Sequence, residues 1–277
     1  MNFEYIVLRL IRHFMPPFFV RLLLRRGWII QPGLESSNPE EAAKLYQDAF
    51  EKLGFDLTGK RILIFGYGGR FGTACALLRA GVHSIVLVEK DTPPDDRANR
   101  NLLPRYAKYL LQKDNRVIPR GDHIVLLQGD IHDEKIKEQV GLVDIVLSRS
   151  VYEHLVNIDA ITRTLAEVTQ ANGIHLHYID LRDHFFKYPF EMLTFSEKVW
   201  HNWLNPTSNL NRCRVRDYQA TFGKYFQDVQ IKILGQNPDA FEKIKHRIKP
   251  EVLSPDEQAN SIDQIQIVAR NPFPELS

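Results

Sequence analysis

The strongest constraint on the fold is a regular alternation of short apolar runs with helical segments between Lys60 and Asp180. Five apolar runs are predicted to be buried strands: Arg61–Gly66, Ser84–Glu89, Ile124–Asp130, Val143–Ser148 and Ile174–Asp180. Three intervening segments are predicted to be helices: Gly72–Ala80, Asp96–Gln112 and Ile158–Gln170. Two later runs, Val229–Leu234 and Gln264–Ala269, lack a long amphipathic crossover between them. The pattern predicts an α/β fold with a three-layer doubly wound sheet, mostly parallel with an antiparallel last strand.

Composition excludes several classes of protein. Hydrophobic residues make up 44% and charged residues 25% of the 277 positions, which excludes a disordered or collagen-like chain. Two cysteines, Cys75 and Cys213, are too few for a disulfide framework or a cysteine-rich zinc module. They favour a reducing compartment, so we expect a cytoplasmic protein. The net charge of +2 gives no reason to expect a nucleic-acid partner.

Residues 1–30 carry five arginines against one glutamate among mostly apolar residues. Internal arginines and the Pro16-Pro17 pair exclude a signal peptide and a membrane-spanning helix. The prolines instead divide two predicted amphipathic helices, near 3–14 and 18–26. These helices could pack as a cap with snorkelling arginines, lie on the inner face of an anionic membrane, or form a lid over a substrate site.

A glycine-rich turn follows the first predicted strand, with glycines at 66, 68, 69 and 72. Glycines permit a tight turn and close approach of a ligand to backbone N–H groups. Glu89 ends the next strand 23 positions after Gly66, an offset from which a carboxylate can accept both ribose hydroxyls of a nucleoside cofactor. Phe71 stands where a dinucleotide fingerprint needs glycine or alanine, which disfavours NAD and FAD. A nucleotide-dependent oxidoreductase is therefore the alternative functional hypothesis for this chain.

Four segments, ILIFGYGGRFG, VLVEKD, QGDIHD and DIVLSRSVYEHL, resemble class I S-adenosylmethionine-dependent methyltransferases in order and spacing. The resemblance covers about 55 to 185 and implies a seven-stranded sheet and S-adenosylmethionine as cofactor. It implies these cofactor contacts: Gly66, Gly68 and Gly72 at the methionine and ribose part, Glu89 at the ribose, Asp130 and Ile131 at the adenine, and Ser148 and Arg149 beside the transferred methyl. Phe65 departs from the acidic or small residue common before the first glycine.

The Val151–His154 stretch resembles the small-molecule branch of this family. In the family, an Asn/Asp-Pro-Pro-Tyr sequence after the fourth strand marks enzymes that methylate nitrogens of nucleic-acid bases or of glutamine side chains. This chain has no such motif there, which argues against a nucleic-acid substrate. The resemblance implies methyl transfer to an O, N or C atom of a small molecule. The N-terminal segment and the polar residues after the fifth predicted strand favour a glycan- or lipid-linked acceptor. A methyltransferase fold that binds a partner or a membrane without catalysis is a third hypothesis. We predict one catalytic domain over 31–277, preceded by the 1–30 extension and carrying a helical cap insertion at 185–225.

Polar residues cluster after the fifth predicted strand, where open α/β sheets bind ligands. Candidate catalytic residues are His177, His184 and Asp183 from this cluster, together with His154. Candidate substrate-binding residues are Arg182, Asn211 and Arg212. The cluster could instead be a divalent metal site of His177, Asp180 and His184, or a salt-bridged turn with structural histidines; we expect no metal. IDLRDH, Trp200 and NRCRVRDY together resemble the tail of some bacterial methyltransferases.

Overall fold

The computed structural model describes residues 2–16, 18–19, 38–185, 187–207 and 209–274. Its strands are β1 Arg61–Phe65, β2 Ser84–Glu89, β3 Leu110–Lys113, β4 Arg116–Pro119, β5 Ile124–Gln128, β6 Val143–Arg149, β7 Thr169–Asp180, β8 Phe226–Gln236 and β9 Ile262–Pro272. Seven of them form one sheet in the order β5-β2-β1-β6-β7-β9-β8. The sheet is mostly parallel with an antiparallel last strand, as predicted. In β1, Ile62 pairs with Ile85 of β2 and Ile145 of β6, all fully buried.

The helices follow most of the predicted segments. They are α1 Phe3–Phe14, α2 Pro39–Lys52, α3 Gly72–Arg79, α4 Asp96–Arg100, α5 Leu103–Tyr106, α6 Glu134–Val140, α7 Ile158–Glu167, α8 Glu197–Val199, α9 Val215–Phe222, α10 Pro238–Lys245 and α11 Glu257–Asn260. Short 3-10 turns lie at Gly121–His123, Tyr152–His154, Glu191–Thr194 and Pro250–Val252, and a π-helical turn at Trp200–Leu204. Asn38 caps α2 by accepting a hydrogen bond from the Glu41 N–H.

The predicted helix over Asp96–Gln112 is wrong beyond its first turns. After α4 and α5, the chain forms the antiparallel hairpin β3–β4. Asp114, at the tip, adopts φ 55°, a left-handed conformation that suits a tight hairpin turn and that Asp tolerates better than most residues. The Asp96 carboxylate also accepts a hydrogen bond from Val117 N–H at 2.7 Å, which holds the hairpin to α4. Turn chemistry and this long-range contact override the helical pattern.

Contacts divide the chain into two compact units. The first unit comprises Met1–Ile30, Arg149–Thr162 and His177–Ala269, and the second comprises Gln31–Ser148, Arg163–Leu176 and Arg270–Ser277. The first unit has a hydrophobic core around Trp200, Phe190 and Phe241, against which Ile6 and Leu10 of α1 pack. Helix α1 therefore forms as predicted and packs as a cap. The second predicted N-terminal helix, near 18–26, lies outside the described residues except for Phe18 and Phe19, which are helical.

No helix in the described ranges is long and apolar enough to cross a membrane.

Candidate functional site

The glycine-rich turn in the second unit leaves β1 and enters α3. Gly66, Gly68 and Gly69 have φ of 73°, 64° and 77°, in the left-handed region that residues with a Cβ rarely adopt. The Gly66 N–H donates to the Val88 carbonyl of β2 at 2.9 Å, which keeps the turn on the sheet. The glycines are therefore needed for the path of the backbone, as the sequence predicted.

The Glu89 carboxylate lies against this turn. Its Oε2 accepts a hydrogen bond from the Gly68 N–H at 3.2 Å, and its Oε1 accepts from the Lys90, Asp91 and Thr92 N–H groups at 3.1, 3.2 and 3.4 Å. Each carboxylate oxygen has about two acceptor sites, so Oε2, which accepts a single hydrogen bond here, can accept one more from a ligand. The structure thus fixes a negative charge beside the glycines at the carboxyl end of β2.

Asn99, which no sequence pattern singles out, holds the turn in place through two side-chain hydrogen bonds. Its side chain donates to the Gly69 carbonyl and accepts from the Phe71 N–H, both at 2.9 Å, and it is fully buried. A Cβ on Gly69 would lie 2.5 Å from the Pro93 carbonyl oxygen, so this position has no room for a side chain. The sequence carries no local signal for these contacts, because they join segments about thirty positions apart.

Two buried hydroxyls border the turn without a hydrogen-bond partner among the described residues. They are Tyr67 Oη and Thr73 Oγ1. Burial, reinforced by the charge of Glu89, raises the pKa of Tyr67, so its hydroxyl stays protonated and is a donor. A buried hydroxyl without a partner costs about 1–3 kcal/mol, which a polar ligand at the turn could recover. The Phe71 ring, fully buried, stacks on Tyr67 at 6.0 Å and fills the position that a dinucleotide fingerprint leaves small.

The remaining predicted cofactor residues lie at strand ends. Asp130 accepts hydrogen bonds from Lys90 Nζ at 2.8 Å and from the His132 N–H at 3.0 Å, and these lower the pKa of its carboxyl. Ile131 and Ser148 are buried in the second unit. Arg149 belongs to the first unit, where its guanidinium lies 5.0 Å from the centre of the Tyr178 ring.

Asp183 in the first unit is bound by the N-terminal helix. Arg9 and Tyr5, both fully buried, each donate a hydrogen bond to its carboxylate, and the Phe185 N–H donates a third at 2.8 Å. Burial raises the pKa of Asp183, while the Arg9 charge and the hydrogen bonds counteract that rise. With these donors in place, the geometry favours a structural ion pair over the predicted role as a base.

His177 is fully buried between aromatic rings. Its ring centre lies 4.7 Å from that of Tyr152 and 5.4 Å from that of Phe222. Burial lowers the pKa of His177 to about 3, so the ring is neutral. A general base must reach the proton that it abstracts, and this packing favours the structural interpretation of His177.

The predicted substrate-binding residues form hydrogen bonds and ion pairs with other residues of the protein. Arg182 forms two hydrogen bonds to Asp180, at 2.9 and 2.6 Å. Arg212 donates to the Met192 and Phe195 carbonyls and pairs with Glu197. Asn211 donates through Nδ2 to the carbonyls of Tyr152 and Leu155, at 2.7 and 3.1 Å, so it ties down the Tyr152–His154 turn.

Three metal-ligating side chains come together in the first unit. Ligand atoms of Glu153, His154 and His184 all lie within 4.8 Å of one another, a different trio from the alternative of His177, Asp180 and His184 that the sequence left open. Glu153 is 1% exposed, and burial raises the pKa of its carboxyl to about 8. The rings of His154 and His184 meet edge to face at 4.9 Å. Burial, with a smaller contribution from the charge of His154, lowers the pKa of His184. His184 is thus a neutral imidazole at physiological pH.

No protein-family model matches the chain, and no curated protein matches it. Similar solved structures include the mitomycin 7-O-methyltransferase MmcR (15% identity, TM-score 0.47), the citrinin polyketide synthase CMeT domain (14%, 0.49) and the N-terminal domain of EvdMO1 with SAH bound (14%, 0.47). The matches cover 92%, 96% and 88% of this chain and 58%, 60% and 87% of those chains, respectively. At these identities and TM-scores, the likeness transfers no function to this chain.

Proposed function

We propose that the chain binds S-adenosylmethionine at the glycine-rich turn and transfers its methyl group to a small-molecule acceptor. The observation that carries the proposal is the Glu89 carboxylate fixed against Gly68 at the carboxyl end of β2. Ligands of open α/β sheets bind at that end of the strands, and a carboxylate there suits a ribose diol. The resemblance of the four sequence segments to class I methyltransferases supports the choice of nucleoside.

The residues of the second unit fit this cofactor. Glu89 would hold the ribose, the glycines of the turn would admit the methionine part, and Asp130 with Ile131 would border the adenine. Tyr67 and Thr73 supply buried hydroxyls that have no partner in the described chain. When bound, S-adenosylmethionine supplies an electrophilic methyl group on a sulfonium. The chain's own contribution is to position the reactants and to exclude water.

An oxygen acceptor must also lose its proton. Of the four predicted catalytic residues, His154 and His184 are half-buried, whereas His177 and Asp183 are fully buried. We therefore assign the proton acceptor to the His154–His184 pair. A neutral imidazole can take a proton, and the low pKa of His184 keeps that ring neutral over the physiological range. An acceptor with an already deprotonated or carbon nucleophile would not need this step.

Calorimetric titration of the full chain with S-adenosylmethionine tests the proposal. We expect saturable binding that weakens about 30-fold in Glu89→Ala, since the loss of charged hydrogen bonds costs about 2 kcal/mol. Glu138→Ala, which removes an exposed carboxylate from α6 in the same unit, is the matched control and should bind like the parent chain. Absence of heat with S-adenosylmethionine, together with a fluorescence change on mixing with NADH, would favour the oxidoreductase instead.

Binding alone does not distinguish an enzyme from a non-catalytic module. Release of S-adenosylhomocysteine on incubation with pools of hydroxylated, amine-bearing and lipid- or glycan-linked small molecules would establish turnover. Glu89→Ala and His184→Gln should both reduce this release, the first mainly through KM for the cofactor and the second through kcat. Cofactor binding without turnover across these acceptor classes would support the non-catalytic hypothesis.

We further propose that the outer face of α1 contacts a membrane surface. While Tyr5 and Arg9 are buried, Phe3, Ile11 and Phe14 are 77%, 53% and 61% exposed on the same helix. The Phe14 ring also meets that of exposed Trp203 at 6.0 Å, which extends the apolar surface. Exposed apolar patches of this kind mark interaction sites, and the sequence that follows α1 contains Arg21, Arg25 and Arg26, suited to anionic lipid. Such contact would place the protein peripherally at the membrane.

Co-sedimentation with vesicles tests this contact. The double variant Phe3→Glu/Ile11→Glu should lose binding to vesicles that contain phosphatidylglycerol, whereas Val156→Glu, at an 88% exposed position that is not part of α1, should bind like the parent. Point variants are preferable to removal of 1–30, because removal would take Arg9 away from buried Asp183. Equal partitioning of the double variant and the parent would contradict the proposal.

A further inference from the structure

The Glu153–His154–His184 cluster is built like a metal centre. The first two side chains extend from the 3-10 turn Tyr152–His154, which follows β6, and the third lies four residues after β7. Their ligand atoms all lie within 4.8 Å of one another. We propose that these three side chains bind a divalent transition-metal ion of the Zn²⁺ type. The site does not depend on S-adenosylmethionine binding at the glycine-rich turn.

Glu153 points to a cation because its carboxyl group is deeply buried and only partly compensated: interactions with the Ser150 side chain and with the Glu153 and Asp180 backbone lower its pKa, but by less than burial raises it. The residue is 1% exposed, and neither carboxylate oxygen has a hydrogen-bond partner of normal geometry among the described residues. Burying a charged carboxylate costs several kcal/mol unless the charge is paired or coordinates a metal, and otherwise the group takes up a proton. A bound divalent ion would satisfy this carboxylate directly.

His154 is oriented as a ligand by its second nitrogen. Nδ1 lies 2.7 Å from the Asn209 carbonyl oxygen, which can only accept, so Nδ1 carries the proton. The lone pair is then on Nε2. Metal-bound histidines almost always donate their other N–H to a carbonyl or carboxylate, which fixes tautomer and ring orientation. Here that partner is present in the fold.

The turn that carries Glu153 and His154 is held by residues far along the chain. Asn209 Nδ2 donates to the His154 carbonyl at 2.9 Å, and the Asn211 N–H donates to the Glu153 carbonyl at 2.8 Å. Asn211 Nδ2 donates hydrogen bonds to the Tyr152 carbonyl at the start of the turn and to the Leu155 carbonyl just after it. Asn209 itself takes φ 50°, an unusual conformation for a residue other than glycine. This support gives the two ligands a fixed backbone.

The ligand set selects the class of ion. Two imidazoles and one carboxylate suit Zn²⁺, Fe²⁺ or Co²⁺, while Mg²⁺ prefers oxygen ligands alone. Bond lengths near 2.1 Å separate the ligand atoms around a tetrahedral ion by about 3.4 Å, so binding draws the ligand atoms together by at most about 1.4 Å, within reach of side-chain rotation. Three protein ligands leave an open position for water. With the ion bound, the lone pairs of both imidazoles would be engaged, so ion-bound hydroxide would replace His154 and His184 as the proton acceptor of the proposed function.

Cobalt titration of the chelator-treated full-length protein tests the site. We expect one equivalent of Co²⁺ with visible absorption bands, displaced by Zn²⁺ and unaffected by Mg²⁺. Glu153→Gln, which keeps the shape of the side chain, and His184→Gln should each weaken affinity at least 10- to 100-fold. His246→Gln removes an exposed histidine of the same unit and should leave both the spectrum and the affinity unchanged.

The outcomes separate this site from adventitious binding. No saturable Co²⁺ binding, or unchanged binding in Glu153→Gln and His184→Gln, would overturn the proposal whether or not S-adenosylmethionine binds. Circular dichroism establishes that each variant is folded. If the variants do not fold, hyperfine-shifted proton signals of the Co²⁺-loaded parent chain decide: two coordinated imidazoles are expected, and fewer would exclude the site.

Discussion

The glycine-rich turn and the polar cluster after β7 were both predicted as functional, but they are built differently. The turn is set largely by its own backbone, with three glycines at positive φ and an acid one strand away. The polar cluster and His154, which follows β6 and contacts His184, acquire their partners from a distance. Asp183 is bound by Arg9, 174 positions earlier, and His154 by Asn209, 55 positions later. Local patterns therefore identify the first region, whereas packing decides the role of each residue in the second.

Neutralising Arg9 should have the largest effect on the polar cluster. Arg9→Leu leaves the Asp183 carboxylate buried without its ion-pair partner, and breaking a buried pair on one side costs about 3–5 kcal/mol. Urea unfolding would measure the loss. Arg9→Leu/Asp183→Asn should recover much of it, because the uncompensated charge is gone. Arg79→Ala, which breaks an exposed pair with Glu40, should cost at most about 1 kcal/mol. Equal losses for Arg9→Leu and Arg79→Ala would mean that Asp183 is free to serve as a base.

A pair of glycine substitutions tests the local character of the turn. Gly69→Ala should destabilise the fold by about 3 kcal/mol, since left-handed φ strain adds to the contact of its Cβ with the Pro93 carbonyl. Gly68→Ala has similar φ but nothing within 4 Å of the Cβ, so strain alone should cost about 1 kcal/mol. Thermal unfolding of both variants measures the difference. Equal losses would show that contacts at the turn matter less than backbone conformation.

These two regions also mark how far the sequence allowed prediction. The strands in the middle of the sheet follow from runs of buried residues such as Ile62–Ile64, because a strand covered on both faces has consecutive apolar positions. The edge strand β8 was also predicted from its apolar positions, although these are half-buried or exposed in the structure. The β3–β4 hairpin was missed because Asp114 forms a turn inside a segment with helical spacing. Asn99 and the Glu153–His154–His184 trio were missed for another reason. Their roles arise only when distant segments meet.

The pH dependence of the free energy of unfolding tests whether His177, in the polar cluster, is buried as a neutral ring. His177 has a pKa of about 3 in the folded chain and near 6.5 when unfolded, so the unfolded chain binds more protons between these values. Stability should fall as the pH decreases from about 6.5 towards 3, by up to about 1.4 kcal/mol per pH unit for this residue. His177→Phe should reduce that slope by up to one proton, measured by urea unfolding at several pH values. A slope unaffected by His177→Phe would place His177 in contact with water.

Arg182 should show the smallest effect on stability. Its ion pair with Asp180 is local and partly exposed, so Arg182→Ala should change the free energy of unfolding by less than about 1 kcal/mol. That value contrasts with the loss expected for Arg9→Leu, although both arginines pair with an aspartate of the same cluster. The contrast makes Arg182 a clean probe of acceptor binding, since a folded variant can be assayed. Once an acceptor that the protein methylates has been identified, a raised KM for that acceptor in Arg182→Ala, at constant stability, would assign Arg182 to substrate binding. An unchanged KM would leave it as a surface ion pair, and acceptor recognition would then fall to the half-buried histidines.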